Sequence, residues 1–355
     1  MNFLTKKNIK VTYKLLISMF FAVWFANIPH EIFLDRANYL NYLMFSDSVI
    51  DNRYGNGIVY FFLNEPAWLY LNVFLSKLST VFSFESLLRI YPFFITFVVS
   101  YYLLSANSKF FLSFCIVVVF LFVLPQGVSY TLGGLRQSIA TTFLLLFLLS
   151  SKKTSHVKII LLLAFLSLIH SLFFIFTAIY LVIFSSKKNK ILSERMTVGV
   201  YIVAATLVVV FLVKYSGLAS YARQGASINN ETDHSGFLFF VYLMICILFI
   251  RIYPAMRLNG SSIVVNSANL ALVFLASYLI MYWIMPGTGR ILNTLMPFLL
   301  FSTLNRLNTY SASILSLIFL IVLLTVGPTK RVNSTSINYN EYYQYMFFQK
   351  TNSRY

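Results

Sequence analysis

Residues 110–124 read FFLSFCIVVVFLFVL, an uninterrupted apolar run that approaches the length needed to cross a bilayer core of about 30 Å. In hydrocarbon every backbone N–H and C=O group has to be paired, so a crossing segment is either a helix or a strand of a closed barrel. Barrel strands alternate apolar and polar residues with period two, and neither this run nor residues 201–213 alternates. The run therefore predicts a transmembrane helix.

The composition of the whole chain extends this prediction. Apolar runs of roughly 15 to 22 residues recur along its length. Hydrophobic residues make up 59% of the chain and charged residues only 10%, whereas soluble domains carry roughly 25% charged residues. The net charge of +17 comes from short basic clusters between apolar runs, which is where membrane proteins keep them. We therefore expect an all-α, polytopic integral membrane protein, and no nucleic-acid partner.

About eleven transmembrane helices are predicted, in a single membrane domain that covers residues 1–355. Segments 158–169 and 171–184 are short and meet at His170 and Ser171. We expect them to form a helical hairpin or a pair of broken helices whose tip lies at membrane depth. The predicted spans are 13–29, 89–105, 110–124, 135–150, 158–169, 171–184, 196–214, 237–254, 263–285, 291–305 and 311–327.

The distribution of basic residues decides how residues 66–80 are interpreted, because positive charge favours the cytoplasmic side. If this segment lies along the interface and the N-terminus is cytoplasmic, the inner face receives 15 of the 27 basic residues and only one acid, Glu194. The outer face then receives nine of the ten acids. Its main pieces are a loop with an interfacial helix, a second loop and a polar C-terminal tail, at residues 30–88, 215–236 and 328–355.

Two arginines follow chain breakers at predicted helix starts on the outer face. Arg136 follows Gly133-Gly134, and Arg290 follows Pro286-Gly287-Thr288-Gly289. A helix N-terminus and a guanidinium group both favour a phosphate, so each position suits an anionic ligand. The alternative for each is an arginine whose long side chain reaches the interface. Arg223, in the loop 215–236, either closes over a substrate or belongs to a solvated loop.

Three further residues are candidates for proton transfer. His170 lies between apolar residues at the predicted hairpin tip, where an ionisable residue is costly and histidine suits proton transfer near neutral pH. Its alternative is a neutral histidine bonded to a backbone carbonyl. Asp35 and Glu65 lie next to interfacial sequence. Asp35 is alternatively a solvated loop acid, and Glu65 a cap for the helix that Pro66 begins.

Other chemistries lack their motifs in this sequence. There is no phosphate-binding glycine-rich loop with Lys-Ser/Thr, no Gly-x-Ser-x-Gly and no His-Glu-x-x-His. Cys115 and Cys246 both lie inside apolar runs, so neither a disulfide nor a metal site is indicated. A donor substrate must therefore arrive already activated, or the protein is a transporter or channel.

Four short motifs, taken in their order along the chain, resemble the EpsG-like family of Wzy-type polymerases of bacterial surface polysaccharides. The resemblance covers roughly residues 15–300, and beyond residue 190 it rests on Arg290 after its glycine-rich turn. The motifs are Asp35-x-x-x-Tyr39, Glu65-Pro66, Arg136-Gln137-x-x-Ala140 and His170-Ser171.

The resemblance implies a multi-spanning glycosyltransferase of GT-C-like architecture in the bacterial inner membrane, with its active site facing the periplasm. Such an enzyme moves the growing O-antigen or related glycan from undecaprenyl pyrophosphate to the non-reducing end of a lipid-linked repeat unit. Membrane lipids and a chain-length regulator protein are its implied partners, and neither a metal nor another cofactor is expected.

The same resemblance suggests roles for the candidate residues. His170 is the expected base, with Asp35 or Glu65 behind it. Arg136, Arg290 and Arg223 are expected to bind the pyrophosphate. The rings of the outer region, expected to be exposed, are candidates for stacking on sugars: Tyr39, Tyr42, Tyr54 and Trp68.

Two rival functions fit the same membrane plan. An O-antigen ligase transfers finished chains, but it usually has one large periplasmic loop in its second half, and the loop 215–236 is short. A flippase for lipid-linked oligosaccharides distributes charges through the membrane depth. Here the middles of most predicted spans are uncharged. Both observations favour a polymerase.

Overall fold

The computed structural model describes residues 6–29, 32, 34–54, 65–106, 109–151, 154–184, 236–282, 289–305 and 342. The regular elements in these residues are all helical. They fall into two compact units, one formed by Met1–Leu145, Leu168–His170 and Thr325–Tyr355, and the other by Leu146–Ser167 and Ser171–Leu324. The all-α prediction is confirmed, and the prediction of a single membrane domain stays a prediction.

The first unit contains seven helices of the described chain and most of an eighth. They are α1 (Lys6–Ala26), α2 (Leu34–Met44), α3 (Ser46–Tyr54), α4 (Pro66–Ser76, extended by a 3-10 turn Lys77–Thr80), α5 (Phe84–Leu104), α6 (Phe110–Val118, continued as a π-helix Val119–Val123), α7 (Pro125–Val128, continued as a π-helix Ser129–Gly133) and α8 (Leu135–Ser150).

Helices α1 and α5 pack together as an antiparallel pair. Arg89 Nη1 at the start of α5 donates to Asn27 Oδ1 just beyond the end of α1, at 3.2 Å. Helix α6 adds aromatic contacts to the same pair, with the rings of Phe21 and Phe114 stacked at 6.2 Å. Apolar side chains also remain exposed on α1, among them Phe20 at 58%. Such a face suits contact with lipid tails.

A sharp bend separates α6 from α7. The two segments, Phe110–Val123 and Pro125–Gly133, meet at 77° and form either a broken span or a re-entrant loop. Carbonyl groups in the last turn of a helix lack intrahelical donors. The buried Tyr342 hydroxyl, from the C-terminal tail, donates to one of them, the Leu121 carbonyl, at 3.4 Å.

The second unit contains five complete helices in the described residues, α9 (His156–Leu166), α10 (Leu172–Phe184), α11 (Gly236–Asn259), α12 (Ser262–Met281) and α13 (Gly289–Asn305). Helix α12 is buried almost all round, as expected for a central helix. The Phe274 ring on α12 contacts Phe176 on α10 at 4.6 Å and Phe298 on α13 at 5.3 Å. Tyr253 on α11 donates to Asn269 on α12 at 2.6 Å.

The pairing of the two helices around His170 is confirmed as a hairpin, and the membrane depth of its tip stays a prediction. Helices α9 and α10 pack against each other, and His156 at the start of α9 lies beside the end of α10. The His156 Nδ1 atom is 2.9 Å from the Tyr180 hydroxyl, and its ring stacks on Phe184 at 5.3 Å. Residues 167–171 form the turn at the tip.

The predicted count of about eleven spans is not confirmed. In the described residues, four helices are long and apolar enough to cross a membrane, or five if the bent pair is one span: Asn8–Ala26, Phe84–Leu104, Phe239–Leu258 and Ser262–Met281. Helices α8, α9 and α10 are apolar but have at most 17 residues. At 1.5 Å per residue they are shorter than a core of about 30 Å. The predicted spans 196–214 and 311–327 lie outside the described residues.

The interpretation of residues 66–80 as a segment that does not cross stays a prediction. Helix α4 has 11 residues, and a 3-10 turn of four follows it. One face of α4 is buried, and the opposite side exposes Tyr70 at 52% and Phe74 at 62%. A short helix with one face against protein and an exposed apolar face suits an interfacial position.

Candidate active site

Glu65 and Arg136 form an ion pair within the first unit. Arg136 Nη1 donates to Glu65 Oε2, which joins residues 71 positions apart. The glutamate side chain is 4% exposed and the arginine side chain 23%. A charge-assisted bond of this kind is stronger than a neutral one, and partial burial limits its screening by water. The structure therefore joins two residues that sequence analysis assigned to different roles.

The backbone of Glu65 explains where its carboxylate goes. Glu65 is the residue before α4, with Pro66 in the first helical turn. It adopts a left-handed conformation, φ 57° and ψ 55°, and among the described residues no other non-glycine residue has a positive φ. Its side chain makes no capping hydrogen bond. Glu65 therefore occupies the cap position of α4, as the alternative expected, but its carboxylate binds Arg136 and does not cap the helix.

Arg136 is the second residue of α8, so the prediction of an arginine at a helix start is confirmed. Its guanidinium carbon lies 5.8 Å from the centre of the Tyr42 ring, within the range of a cation–π contact. Tyr42 is on α2 and Glu65 immediately precedes α4. Tyr42 and Glu65 thus both contact the guanidinium group at the start of α8.

The tip of the hairpin is tied to the start of α4. The Ala67 N–H group donates to the Leu168 carbonyl at 3.0 Å. Ala67 is two residues from Glu65, and Leu168 is two residues from His170. His170 itself is buried, with 6% of its surface exposed. This bond brings the segment that carries His170 close to the segment that carries Glu65. The sequence alone did not predict this proximity.

Tyr39 and Trp68 are not exposed, and here the sequence-based expectation is wrong. Trp68 is fully buried and Tyr39 is 6% exposed. The Trp68 ring packs against Tyr39 at 5.6 Å and against Tyr91 at 5.0 Å, which joins α2, α4 and α5. Burying a large ring between helices gains more than leaving it in water. Their assignment as sugar-contacting residues stays a prediction.

Of the remaining predicted site residues, the structure describes Arg290 fully, Asp35 only in its backbone and Arg223 not at all. Asp35 is the second residue of α2, and its side chain lies outside the described part. Arg290 is exposed at the second position of α13 in the second unit, so its predicted place at a helix start is confirmed. Arg223 lies outside the described residues. The described residues contain no group of three or more potential metal ligands.

Arg36 was missed as a candidate. Its side chain on α2 is fully buried, and Nη1 donates to the Ile28 carbonyl at 3.1 Å. Arginine is almost never fully buried unless it is paired, so its burial is informative. The available signal was the spacing of Arg36, Tyr39 and Leu43, which lie on one helical face and are all buried.

The model of the EpsG family matches residues 12–347. No curated protein and no solved structure matches the chain.

Proposed function

The chain belongs to the EpsG family, and from this membership and the geometry around Arg136 we propose that it polymerises a bacterial surface polysaccharide. Membership supports a membrane polysaccharide polymerase in general. The proposal is more specific: growing glycan passes from undecaprenyl pyrophosphate to the non-reducing end of a lipid-linked repeat unit. The reaction takes place at the periplasmic face of the inner membrane.

Arg136 is the proposed ligand of the leaving pyrophosphate. When the bond between the anomeric carbon and the pyrophosphate oxygen breaks, that oxygen keeps the electron pair and negative charge develops there. A guanidinium group at a helix N-terminus stabilises this charge, because the helix N–H groups and the cation act in the same direction. Arg290 and Arg223 are proposed as further anion ligands.

His170 is the proposed base for the acceptor. A hydroxyl group of the new repeat unit attacks the anomeric carbon, and its proton passes to the imidazole. Asp35 and Glu65 are the proposed acids behind it. The Glu65 carboxylate binds Arg136, so Glu65 also fixes the orientation of the cation.

One observation carries the proposal: the Glu65–Arg136 pair lies at the start of α4, and that start is hydrogen-bonded to the tip of the hairpin that holds His170. A cation held by a buried acid and a histidine on a neighbouring segment supply the two groups that the transfer needs. In the EpsG family context this arrangement favours chemistry over transport.

Complementation of a deletion strain tests the proposal. Arg136→Ala and His170→Ala are each expected to reduce polymer yield by about 10²-fold or more, since one stabilising donor or one base contributes that much. The matched control is Arg89→Ala, an exposed arginine that contacts Asn27. It should leave the polymer unchanged on a gel.

The products distinguish the rival functions. A deletion strain with single repeat units on its acceptor indicates a polymerase, whereas free lipid-linked polymer indicates a ligase. Lipid-linked units that accumulate in the cytoplasmic leaflet indicate a flippase. Unchanged polymer length and yield in both site variants would remove Arg136 and His170 from the site.

A further inference from the structure

A polar pocket lies at the other end of α4. Its volume is about 380 Å³, within the range of small-molecule sites. It opens between the end of α2, the start of α3 and the 3-10 turn after α4. Its polar lining consists of four serines and one acid: Ser46, Asp47, Ser48, Ser76 and Ser79.

The hydrogen bonds of these serines leave acceptor capacity on their oxygen atoms. Ser46 donates to the Ser76 hydroxyl oxygen at 3.2 Å, and Ser76 donates to the Val73 carbonyl at 2.8 Å. Ser48 donates to the Phe45 carbonyl at 2.9 Å. A hydroxyl group has one donor and two acceptor positions, so each of these oxygens keeps acceptor capacity. The exposed carboxylate of Asp47 adds two acceptor oxygens.

The charge of the lining selects against phosphate. Its one ionisable residue among the described lining residues is Asp47, and neither lysine nor arginine is present. Described lining residues that are rich in acceptors and include no cation disfavour an anion and suit a ligand rich in O–H or N–H donors. A sugar ring carries several hydroxyl donors and fits this description.

Two aromatic rings in the pocket lining are also complementary to a sugar. Phe45 lines the pocket and is 58% exposed, and Phe84 lines it from the start of α5. The face of an aromatic ring is negative, and it attracts C–H groups that carry partial positive charge. Pyranose rings present such C–H groups on one face and hydroxyl groups at their edge. Phe45 and the serines with Asp47 are complementary to these two parts.

The position of the pocket relates it to Arg136. Glu65, which binds Arg136, precedes α4, and Ser76 ends that helix. Eleven residues at 1.5 Å each place the two sites about 16 Å apart along the helix. A short oligosaccharide attached to a pyrophosphate at Arg136 spans this distance if it lies along α4.

We propose that the pocket formed by Ser46, Asp47, Ser48, Ser76, Ser79 and Phe45 is a glycan-binding subsite, which holds a sugar of the lipid-linked oligosaccharide at a distance from the reacting bond. This inference rests on the proposed function. It assigns to the pocket a role in binding and selecting the repeat unit, and no role in the chemical step.

The test uses the full-length protein in detergent and, as probe, lipid-linked single-repeat oligosaccharide extracted from the deletion strain. Initial rates are measured against its concentration for Asp47→Asn, Phe45→Leu and the matched control Thr80→Ala. Thr80 is an exposed hydroxyl residue next to Ser79 that does not line the pocket. Both pocket variants are conservative and exposed, so the fold should persist, which size-exclusion chromatography checks.

Asp47→Asn is expected to raise KM about tenfold, because one acceptor oxygen becomes a donor and any bond to the other loses its charge assistance. Its kcat should stay within about twofold, since binding without a change in the chemical step moves KM alone. Phe45→Leu should also raise KM, although leucine is an equally good partner for a lipid tail. An unchanged KM in Phe45→Leu alone would point to lipid contact and overturn the sugar assignment.

The Arg136→Ala variant separates this inference from the proposed function. If Arg136→Ala lowers kcat while both pocket variants keep the wild-type KM, the subsite is wrong and the proposed function stands. If Arg136→Ala also leaves the rates unchanged, the proposed active site itself is wrong. A rise of KM in Thr80→Ala equal to that in Asp47→Asn would indicate a general distortion and overturn the subsite.

Discussion

At the scale of single residues, Glu65 is the one described non-glycine residue with a positive φ. A non-glycine residue in the left-handed region costs of order 1–3 kcal/mol and persists where its surroundings require it. Here the carboxylate is 4% exposed and bound to Arg136, and the next residue is a proline. Proline disfavours the right-handed helical region for the residue before it. The ion pair with Arg136 then holds Glu65 in the left-handed conformation.

A double-mutant cycle of Glu65→Gln and Arg136→Gln tests this pair. We expect the two changes to be non-additive by about 1–3 kcal/mol, because the first already removes the charge-assisted bond. The measurement is thermal unfolding in detergent of the wild type, both single variants and the double variant. Asn27 and Arg89 supply the control cycle, since their exposed bond should give a coupling close to zero. Additive losses in the first cycle would contradict the pair.

Substitution by glycine separates strain from charge. Glu65→Gly relieves the left-handed backbone at no steric cost but removes the carboxylate, whereas Glu65→Gln keeps the strain. We therefore expect Glu65→Gly to be more stable than Glu65→Gln by up to about 1 kcal/mol. Both should lower polymer yield, because Arg136 loses its orienting acid. Higher stability of Glu65→Gln, measured as its melting temperature in detergent, would contradict the assignment of strain.

At the scale of elements, the bend between α6 and α7 carries the chain into α8 and Arg136. Gly127 on α7 lies so close to the other arm that a Cβ atom there would overlap the Phe120 carbonyl oxygen. Gly134, just before α8, has open space where a Cβ atom would lie, and its φ of −76° suits any residue. Close packing therefore requires glycine at position 127, whereas it does not require glycine at position 134.

Alanine at each glycine tests the bend. Gly127→Ala is expected to cost about 1–3 kcal/mol, because the backbone of Phe120 has to move. Gly134→Ala should be neutral or slightly stabilising, since it only restricts the unfolded chain. The melting temperatures of the two variants are compared in detergent. Polymer yield is measured as well, because it reports on the geometry of Arg136. Equal stability of the two variants would show that the close packing of α7 on α6 is absent.

At the scale of the whole molecule, whether residues 66–80 cross the membrane determines the predicted orientation of every later span. Helix α4 is too short to cross upright, and its apolar Tyr70 and Phe74 are exposed. The residues before and after it should therefore lie on the same side. This consequence is testable without knowledge of the substrate.

Cysteine labelling tests this topology. In a background with Cys115 and Cys246 replaced by serine, Ser48→Cys and Thr80→Cys should both react with a membrane-impermeant maleimide added to spheroplasts. Ser151→Cys, in the basic loop before α9, should react only after the membrane is permeabilised. If residues 66–80 cross the bilayer, only one of the first two variants reacts, and the predicted orientation is wrong.

Local sequence was sufficient for much of the fold. The apolar runs predicted the helices, the glycine and proline breaks placed Arg136 and Arg290 at helix starts, and the short segments around His170 predicted the hairpin. These features depend on backbone hydrogen bonding and on residues a few positions apart. The number of spans stays a prediction, because hydropathy does not distinguish a short buried helix from a crossing one.

Tertiary structure alone decided which of these residues meet. The pairing of Glu65 with Arg136 over 71 positions, the burial of Trp68 between α2, α4 and α5, and the serine pocket have no local signal. The physical reason is that lipid tails and protein cores are equally apolar, so an apolar sequence does not show which face meets protein. Only the packing of the helices selects the polar groups that come within hydrogen-bond distance.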